Sequence, residues 1–273
     1  MGEYSLDQHT VSLLHFNDGI KDETGKVWTA DGGAAVSTTQ SKFGGSSLHL
    51  NPSQGLSIDI QDDFKFGTDD FTVDCWIYPT AINPSFWNVI FDNRKTTAGG
   101  TGFVLFLYQG TLSMAFDHTS KITSAMVGLN SWQHIAITRA DKTLFLFLNG
   151  DLVYSEAMPH NLTDGYGLIG KALDGYNFIG YIDEFRISNV ARWTSNFVPP
   201  SEPSSNAILR ITMNDSSERE YRLPKADIDG FVNWFNRTVG TGNTCYSFDD
   251  IIDGSKEYLA FEKIISFEVI PVA

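Results

Sequence analysis

Two cysteines in 273 residues are too few for a disulfide framework or a zinc quartet. Cys75 lies in a strand-like run and Cys245 in a loop-like one, so two free thiols are expected. Positive charge is also scarce: 19 Lys and Arg stand against 33 Asp and Glu, for a formal charge of −14. That balance repels phosphate backbones and anionic lipid, so nucleic acid is not an expected partner, whereas solubility, cation binding or neutral glycans fit it. No stretch approaches the ~20 consecutive apolar residues of a spanning helix, and membrane insertion is not expected. Met1-Gly2-Glu3-Tyr4-Ser5-Leu6-Asp7 has neither the basic nor the apolar region of a secretory leader. It also has Leu6 where myristoylation needs Ser or Thr. Without a secretory route, the Asn-x-Ser/Thr matches at Asn161, Asn214 and Asn236 are expected to stay unmodified.

Windows of helical period are missing up to about residue 197. In their place run short apolar alternations separated by Gly, Asn and Asp turns. Strands are predicted at 11–16, 46–50, 56–60, 71–78, 88–91, 103–108, 111–117, 132–139, 143–148, 152–157, 168–169 and 178–188. Along 71–78 one parity reads Phe, Val, Cys, Ile and the other Thr, Asp, Trp, Tyr, which predicts one buried and one half-wet face. Residues 103–108 and 144–148 are apolar on both parities, as expected of strands lying centrally between two layers. Asn149-Gly150 suits a type I′ hairpin turn, whose two central residues need positive φ. With 42% hydrophobic and 13% aromatic content to fill a core, a two-sheet sandwich or jelly roll follows.

Pro199-Pro200-Ser201-Glu202-Pro203 ends this texture, because prolines cannot donate to a ladder. Domains are expected at 1–203 and 204–273. The second reads as a hairpin over 207–213 and 220–223, then a helix opened by Pro224 and running to about Thr238, and a last strand over 258–269. Ile228, Phe231, Val232 and Phe235 form one apolar stripe on that helix. A unit of about seventy residues is near the lower size limit for folding alone and should dock on something.

Leu13-Leu14-His15-Phe16, Phe43-Gly44-Gly45-Ser46-Ser47-Leu48, Phe71-Thr72-Val73 before Trp76-Ile77-Tyr78-Pro79, Trp132-Gln133-His134-Ile135-Ala136, Phe147-Leu148-Asn149-Gly150 and Gly180-Tyr181-Ile182-Asp183-Glu184-Phe185-Arg186-Ile187-Ser188 follow one another along the chain in a specific order and spacing. Together they resemble a laminin-G-like domain of the concanavalin A-like lectin/glucanase superfamily, over residues 11–203. The resemblance implies an all-β jelly-roll sandwich, followed here by a small α+β C-terminal domain. Leu209 to Met213, Tyr221, Trp234-Phe235 and Phe261 to Phe267 resemble a small module found beside such domains in bacteriophage structural proteins. That implies a virion protein, assembled in the host cytoplasm and acting outside the cell.

The glucanase branch places two carboxyl groups on one strand in a Glu-x-Asp-x-x-Glu arrangement. Here Asp183 and Glu184 are adjacent, hence expected on opposite faces, and Arg186 stands where a partner acid would sit; neither Asp74 nor Glu156 restores the spacing. No catalysis is expected. Related jelly rolls often hold one structural calcium ion near the junction of first and last strands, and the nearest matches are Asn17, Asp18, Asp22 and Asp183. The same residues are also ordinary turn formers and local acceptors. Asp62-Asp63 and Asp69-Asp70 bracket Phe64 and Phe66, which read as plugs of the sandwich edge.

Glycan binding needs an aromatic face for the sugar ring and polar groups for its hydroxyls. Trp76, Trp132 and Trp193 read as core or edge plugs. Loop positions are the candidates for contact: Trp87, Asn88, Asp92, Asn93 and Arg94 before the Gly/Thr-rich run 96–102, together with Tyr166 and Tyr176. Trp87 and Tyr166 could equally close loops onto the sandwich or meet a neighbouring subunit, and the Arg94-Lys95 pair could meet an acidic sugar or be a solvated loop tip. The expected role is a non-catalytic virion structural protein (tail fibre, receptor binding or capsid decoration) that adheres to a cell-surface glycan or protein. Other virion proteins are expected partners, and a homo-oligomer is expected. A purely structural cement protein and a glycan-processing enzyme are the alternatives.

Overall fold

The computed structural model describes residues 4–97, 100–116, 119–200, 206–237, 242–249 and 256–271. The chain divides into two compact units, Gly2–Pro200 and Ser201–Ala273. Within the first unit, five short strands come first: β1 (Thr10–Leu14), β2 (Thr29–Asp31), β3 (Ala35–Ser37), β4 (Ser47–Leu50) and β5 (Gly55–Ile58). β6 (Phe71–Ala81), β7 (Asn88–Asp92), β8 (Phe103–Tyr108), β9 (Thr111–Phe116) and β10 (Thr119–Met126) follow. The set closes with β11 (Gln133–Ala140), β12 (Thr143–Leu148), β13 (Asp151–Ala157), β14 (Gly167–Ile169) and β15 (Ile179–Ser188). One antiparallel sheet runs β13-β12-β11-β6-β15-β4-β3 with β1 also on β15; the other runs β10-β9-β8-β7-β14-β5-β2. This is the expected jelly-roll sandwich. β2, β3 and β10 are additions to the sequence reading; the first two are three residues long and the third is polar, so none carries an apolar alternation.

Period-two patterning places the core. Phe71, Val73, Cys75 and Ile77 of β6 meet Phe103, Leu105 and Leu107 of β8 between the sheets, with the Phe71 and Phe103 rings stacked at 5.4 Å. Each such side chain contributes about 1.5–3 kcal/mol by leaving water. Phe64 and Phe66 enter the same core as expected. They are held by a residue the sequence does not flag: Arg139, fully buried, donates to the carbonyls of Phe66, Gly67, Asp69 and His160.

The outer faces differ from expectation. Thr72, Asp74 and Trp76 of β6 are buried rather than half-wet, because Tyr4, Phe43 and Trp132 pack with Trp76 over this face. β8 and β12 do not lie between two layers of sheet. Their second apolar parity is roofed by loops: Val104, Phe106 and Tyr108 by the Trp87 and Tyr176 segments, and Phe147 by Phe197, which stacks on Trp193 at 3.9 Å. At the β12–β13 turn Asn149 and Gly150 have φ of 52° and 86°, as the Asn-Gly pair requires.

β15 carries a bulge between Asp183 and Arg186, with Glu184 at φ 50°. Ile182 and Phe185 both face the core, so the alternation skips one residue. Asp183 and Glu184 therefore share the outer side. The expectation that adjacent positions oppose each other fails here because it assumed an unbroken pleat.

In the second unit, β16 (Asn206–Met213), β17 (Glu218–Pro224), α1 (Lys225–Phe235), β18 (Cys245–Asp249), β19 (Lys256–Ala260) and β20 (Ile264–Pro271) form a sheet ordered β17-β16-β20, a two-stranded β18-β19 ladder and one helix. Ile228 and Phe231 of the predicted stripe are buried against Leu209, Ile211 and Phe248. Pro224 closes β17 instead of opening the helix, and a 3₁₀ turn at Phe261–Lys263 splits the predicted last strand into β19 and β20. The helix end predicted near Thr238 lies outside the described residues.

Candidate functional site

The outer face of the β7–β8–β9 region carries the more enclosed of two clefts that expected binding residues line. The side chains of Val89, Val104, Phe106, Ala115 and Ala172 make an apolar floor. Trp87, partly exposed at the end of the 82–87 loop, lies flat on Phe106 with rings 4.1 Å apart and 11° from parallel. Tyr176 stands 6.0 Å from Trp87 and stacks at 5.6 Å on Phe86, half of whose surface is exposed. A cavity of about 250 Å³ opens beside this strip, lined by Trp87, Arg94, Thr97, Phe116, Ser120 and Asp174 among others.

Arg94 is fixed at one wall. Its Nε and Nη2 donate to the two oxygens of Asp92 at 3.0 and 2.8 Å, and Nη2 also donates to Asp174 Oδ1 at 3.0 Å. Burial works against the guanidinium charge, but the hydrogen bonds and charges of Asp92 and Asp174 outweigh it and raise the Arg94 pKa. One positive charge thus stands between two negative ones. The Arg94 wall is net acidic, which speaks against the acidic-sugar reading, one of the two left open for the Arg94-Lys95 pair.

Three expected contact residues are framework instead. Asn88 is buried; its amide donates to the carbonyls of Asn83, Phe86 and Leu107 and accepts from Asn83 N–H, tying the Trp87 loop to β8. Asn93, also buried, donates to Phe64 and Asp164 carbonyls and accepts from Phe103 N–H. Asp92 is buried and holds Arg94 and the Leu173 N–H. A side chain with its polar atoms spent inside the fold cannot also grip a ligand. The Gly/Thr-rich run is anchored too: Asp164 accepts from the N–H groups of Lys95 and Thr101. A Cβ at Gly102 would come within 2.7 Å of Asn93 Oδ1, so the glycine permits that close approach. Tyr166 is elsewhere, at a shallow cleft of about 600 Å³ with Lys26, Thr29, Ser57, Asp59 and Gln61.

A family model described as the concanavalin A-like lectin/glucanases superfamily matches residues 51–195, more than half of the chain. The chain belongs to this superfamily. Compared with curated proteins, its sequence matches none. Among solved structures, domain 4 of AbnA, a GH43 extracellular arabinanase from Geobacillus stearothermophilus solved in complex with arabinotriose, superposes with a TM-score of 0.54 at 17% identity, over 67% of this chain and 93% of that one. The binding domain of Paraclostridial Mosquitocidal Protein 1 gives 0.53 at 16% identity over 92% of this chain and 63% of that one. The botulinum neurotoxin serotype D binding domain gives 0.51 at 14%, over 68% and 48%. At these identities the likeness is one of fold.

For a concanavalin A-like chain the two questions are a carboxylate pair and an ion. Asp183 and Glu184 share a side, but both are fully buried. Asp183 accepts from the N–H groups of Lys42, Phe43 and Glu184, and Glu184 accepts from Tyr4 N–H at 2.6 Å and pairs with His15 Nδ1 at 2.8 Å. Burial, with the Glu184 charge adding to it, pushes Asp183 up to about 7 against the pull of its backbone donors. Beside them Asp74 forms a two-pronged ion pair with Arg186 at 2.9 and 3.0 Å, and Arg186 lies 4.0 Å over the Tyr4 ring.

The four residues expected around calcium do not fit an ion. Asp22 accepts from Ser12, Leu13, Thr24 and Trp28, and Asp183 holds three N–H groups. Those lone pairs face donors, whereas calcium needs about six to eight oxygens converging on one point. Asp18 is exposed, and Asn17 packs on Gly44, where a Cβ would overlap its side chain. Among the described residues no group of three or more His, Cys, Asp or Glu could hold a metal.

Proposed function

We propose that the jelly-roll unit is a non-catalytic binding module that holds a neutral cell-surface saccharide on the Trp87 cleft. The observation that carries the reading is Trp87 backed flat by Phe106 beside a cavity walled by a fixed Arg94–Asp92–Asp174 cluster. An aromatic ring held rigidly by its neighbour loses little entropy on stacking against a sugar, and pinned polar groups can meet hydroxyls without reorganising. The net acidic wall favours uncharged sugars. The burial of Asp183 and Glu184 beneath protein donors supports the non-catalytic part of the reading.

Titration calorimetry against neutral oligosaccharides chosen from a glycan array, in calcium and in chelator, tests it. Saturable binding that Trp87→Ala weakens by roughly tenfold or more, about 1.4 kcal/mol, with an unchanged circular dichroism spectrum, is the expected result. Binding untouched by this substitution would move the site elsewhere, and absence of binding would favour a cement role. The finer setting, adhesion from a bacteriophage tail fibre or capsid decoration, rests on the resemblance of residues 204–273 to a phage structural module. Antibody labelling of purified particles against this chain decides it.

A further inference from the structure

The wall of the Trp87 cleft carries an ion pair that does not close on itself. Arg94 is held along one edge of its guanidinium by the buried Asp92, which takes Nε and Nη2 in a fork. Asp92 also accepts the N–H groups of Arg94 and Leu173, so one buried carboxylate positions both the Arg94 side chain and the segment that carries Asp174. Gly175, at φ 84°, turns that segment back, and its N–H donates to the Ala172 carbonyl at 3.1 Å. Asp174 then meets Arg94 through a single bond, Nη2 to Oδ1. Among the described residues no partner engages Arg94 Nη1 or Asp174 Oδ2. The Arg186–Asp74 pair differs: it makes two bonds, and both side chains are buried. Arg94 and Asp174 both line the cavity beside Trp87, and the Asp174 side chain is 31% exposed. The planar guanidinium fixes Nη1 next to Nη2, so unused N–H donors and an unused carboxylate oxygen stand side by side.

Resting on the reading of this cleft as a saccharide site, we propose that Arg94 Nη1 and Asp174 Oδ2 together read an unsubstituted vicinal diol on one sugar ring. One hydroxyl accepts from the guanidinium and its neighbour donates to the carboxylate. A hydroxyl is donor and acceptor at once, and two on adjacent ring carbons, when cis or both equatorial, present their oxygens side by side as this wall requires. A trans-diaxial pair points to opposite faces of the ring and does not fit. The cavity, about 250 Å³, is smaller than the roughly 300–1,000 Å³ that buries a drug-sized ligand, so it admits one ring and both hydroxyls must belong to it. Because the donor and the acceptor are fixed before binding, the diol is gripped without reorganisation. A ring that lacks either hydroxyl leaves a charged group facing it unpartnered. The class of ligand follows. In hexopyranose chains linked through O4 the interior rings keep the adjacent pair O2 and O3, whereas in chains linked through O3 they keep no adjacent pair and qualify only at their ends.

The test is NMR titration of the full chain with the methyl glycosides of glucose, galactose and mannose and with the mono-deoxy derivatives of each. The expected result is that a binding glycoside loses about tenfold or more in affinity when either of two adjacent hydroxyls is removed, and much less when any other is. Asp174→Asn supplies the protein half of the cycle. Its amide oxygen still accepts from Arg94 Nη2, Asp92 still holds Arg94, and an NH2 donor replaces the free acceptor. This variant should bind the parent glycoside about tenfold more weakly and become indifferent to loss of the hydroxyl that donates to Asp174, while still sensing loss of its neighbour. A merely structural role for Asp174 would weaken every ligand alike and leave both dependences intact. The deoxy series on the wild type needs no variant, so a misfolded Asp174→Asn chain leaves the test decisive. Binding that Trp87→Ala weakens but that ignores every deoxygenation, binding confined to longer chains with no single ring bound, or hydroxyl dependences unchanged in Asp174→Asn would overturn this proposal and leave the saccharide reading standing. Absence of binding by any neutral saccharide, long or short, would overturn both.

Discussion

Asp183 and Asp74 lie on the same buried face of the sandwich and titrate in opposite directions. Burial and Glu184 raise Asp183 to about 7 from an ordinary 3.8. The folded state therefore binds a proton that the unfolded chain has released between pH 4 and 7, and Asp183 costs stability increasingly as pH rises through that window. Measured by denaturant unfolding, wild type should lose stability relative to Asp183→Asn from pH 4 to 7, with a slope approaching about 1.4 kcal/mol per pH unit at mid-window. A difference that does not change with pH would contradict the assignment. Asp74 runs the other way. Burial alone would raise it, but the Arg186 charge and the hydrogen bonds of His134 and Arg186 hold it at about 2. Its stabilising contribution is present above pH 4 and is lost as pH falls toward 2. Neither shift is legible in the sequence, where Asp74 is one polar residue in an alternating strand and Asp183 reads as a ligand or carboxylate-pair candidate; the low pKa of Asp74 comes from Arg186, 112 positions away.

At the scale of elements, the β12–β13 hairpin shows a sequence signal with a second reason behind it. Gly150 accepts the Phe197 N–H at 2.9 Å, and a Cβ there would stand 1.9 Å from the Phe197 carbonyl oxygen. Gly175 has nearly the same φ, 84°, with nothing within 4 Å of a built Cβ. Gly175→Ala is expected to cost about 1 kcal/mol from backbone strain alone, and Gly150→Ala about 2–3 kcal/mol because the 191–200 segment must also shift. Chemical denaturation of the two variants separates these contributions, and equal losses would remove the roofing role of Phe197. Turn chemistry was legible at Asn149-Gly150 because it is local. The bulge at Glu184 was not, since no turn residue marks it and its register depends on β6 and on the Tyr4 and His15 partners of its carboxylate. The apolar parities of β8 and β12 were legible as buried, but a pattern of burial does not say whether a sheet or a loop does the burying.

Across the whole molecule, two cores of very different size share one chain. Among the described residues the sandwich encloses a cluster of more than thirty buried apolar residues, whereas nine centred on Phe231 form the core cluster of the C-terminal unit. Small cores bury a smaller fraction of their surface and melt first. Calorimetry should resolve two transitions, and Phe231→Ala, expected to cost about 3–5 kcal/mol, should lower the smaller one and leave the larger in place. A single transition shifted as a whole would mean that the units unfold together. The sequence by itself determined the all-β character of residues 11–197, the Asn-Gly hairpin, the proline break near 200 and the apolar stripe of α1, because each rests on short-range periodicity and backbone preference. Only the tertiary structure decided which loop residues gather at the proposed cleft. Trp87, Arg94 and Tyr176 come together while Asn88, Asp92 and Asn93 turn inward and Tyr166 lies apart, since Arg94 meets Asp174 across 80 positions of chain, and long-range strand order and register are settled by packing rather than by any local pattern.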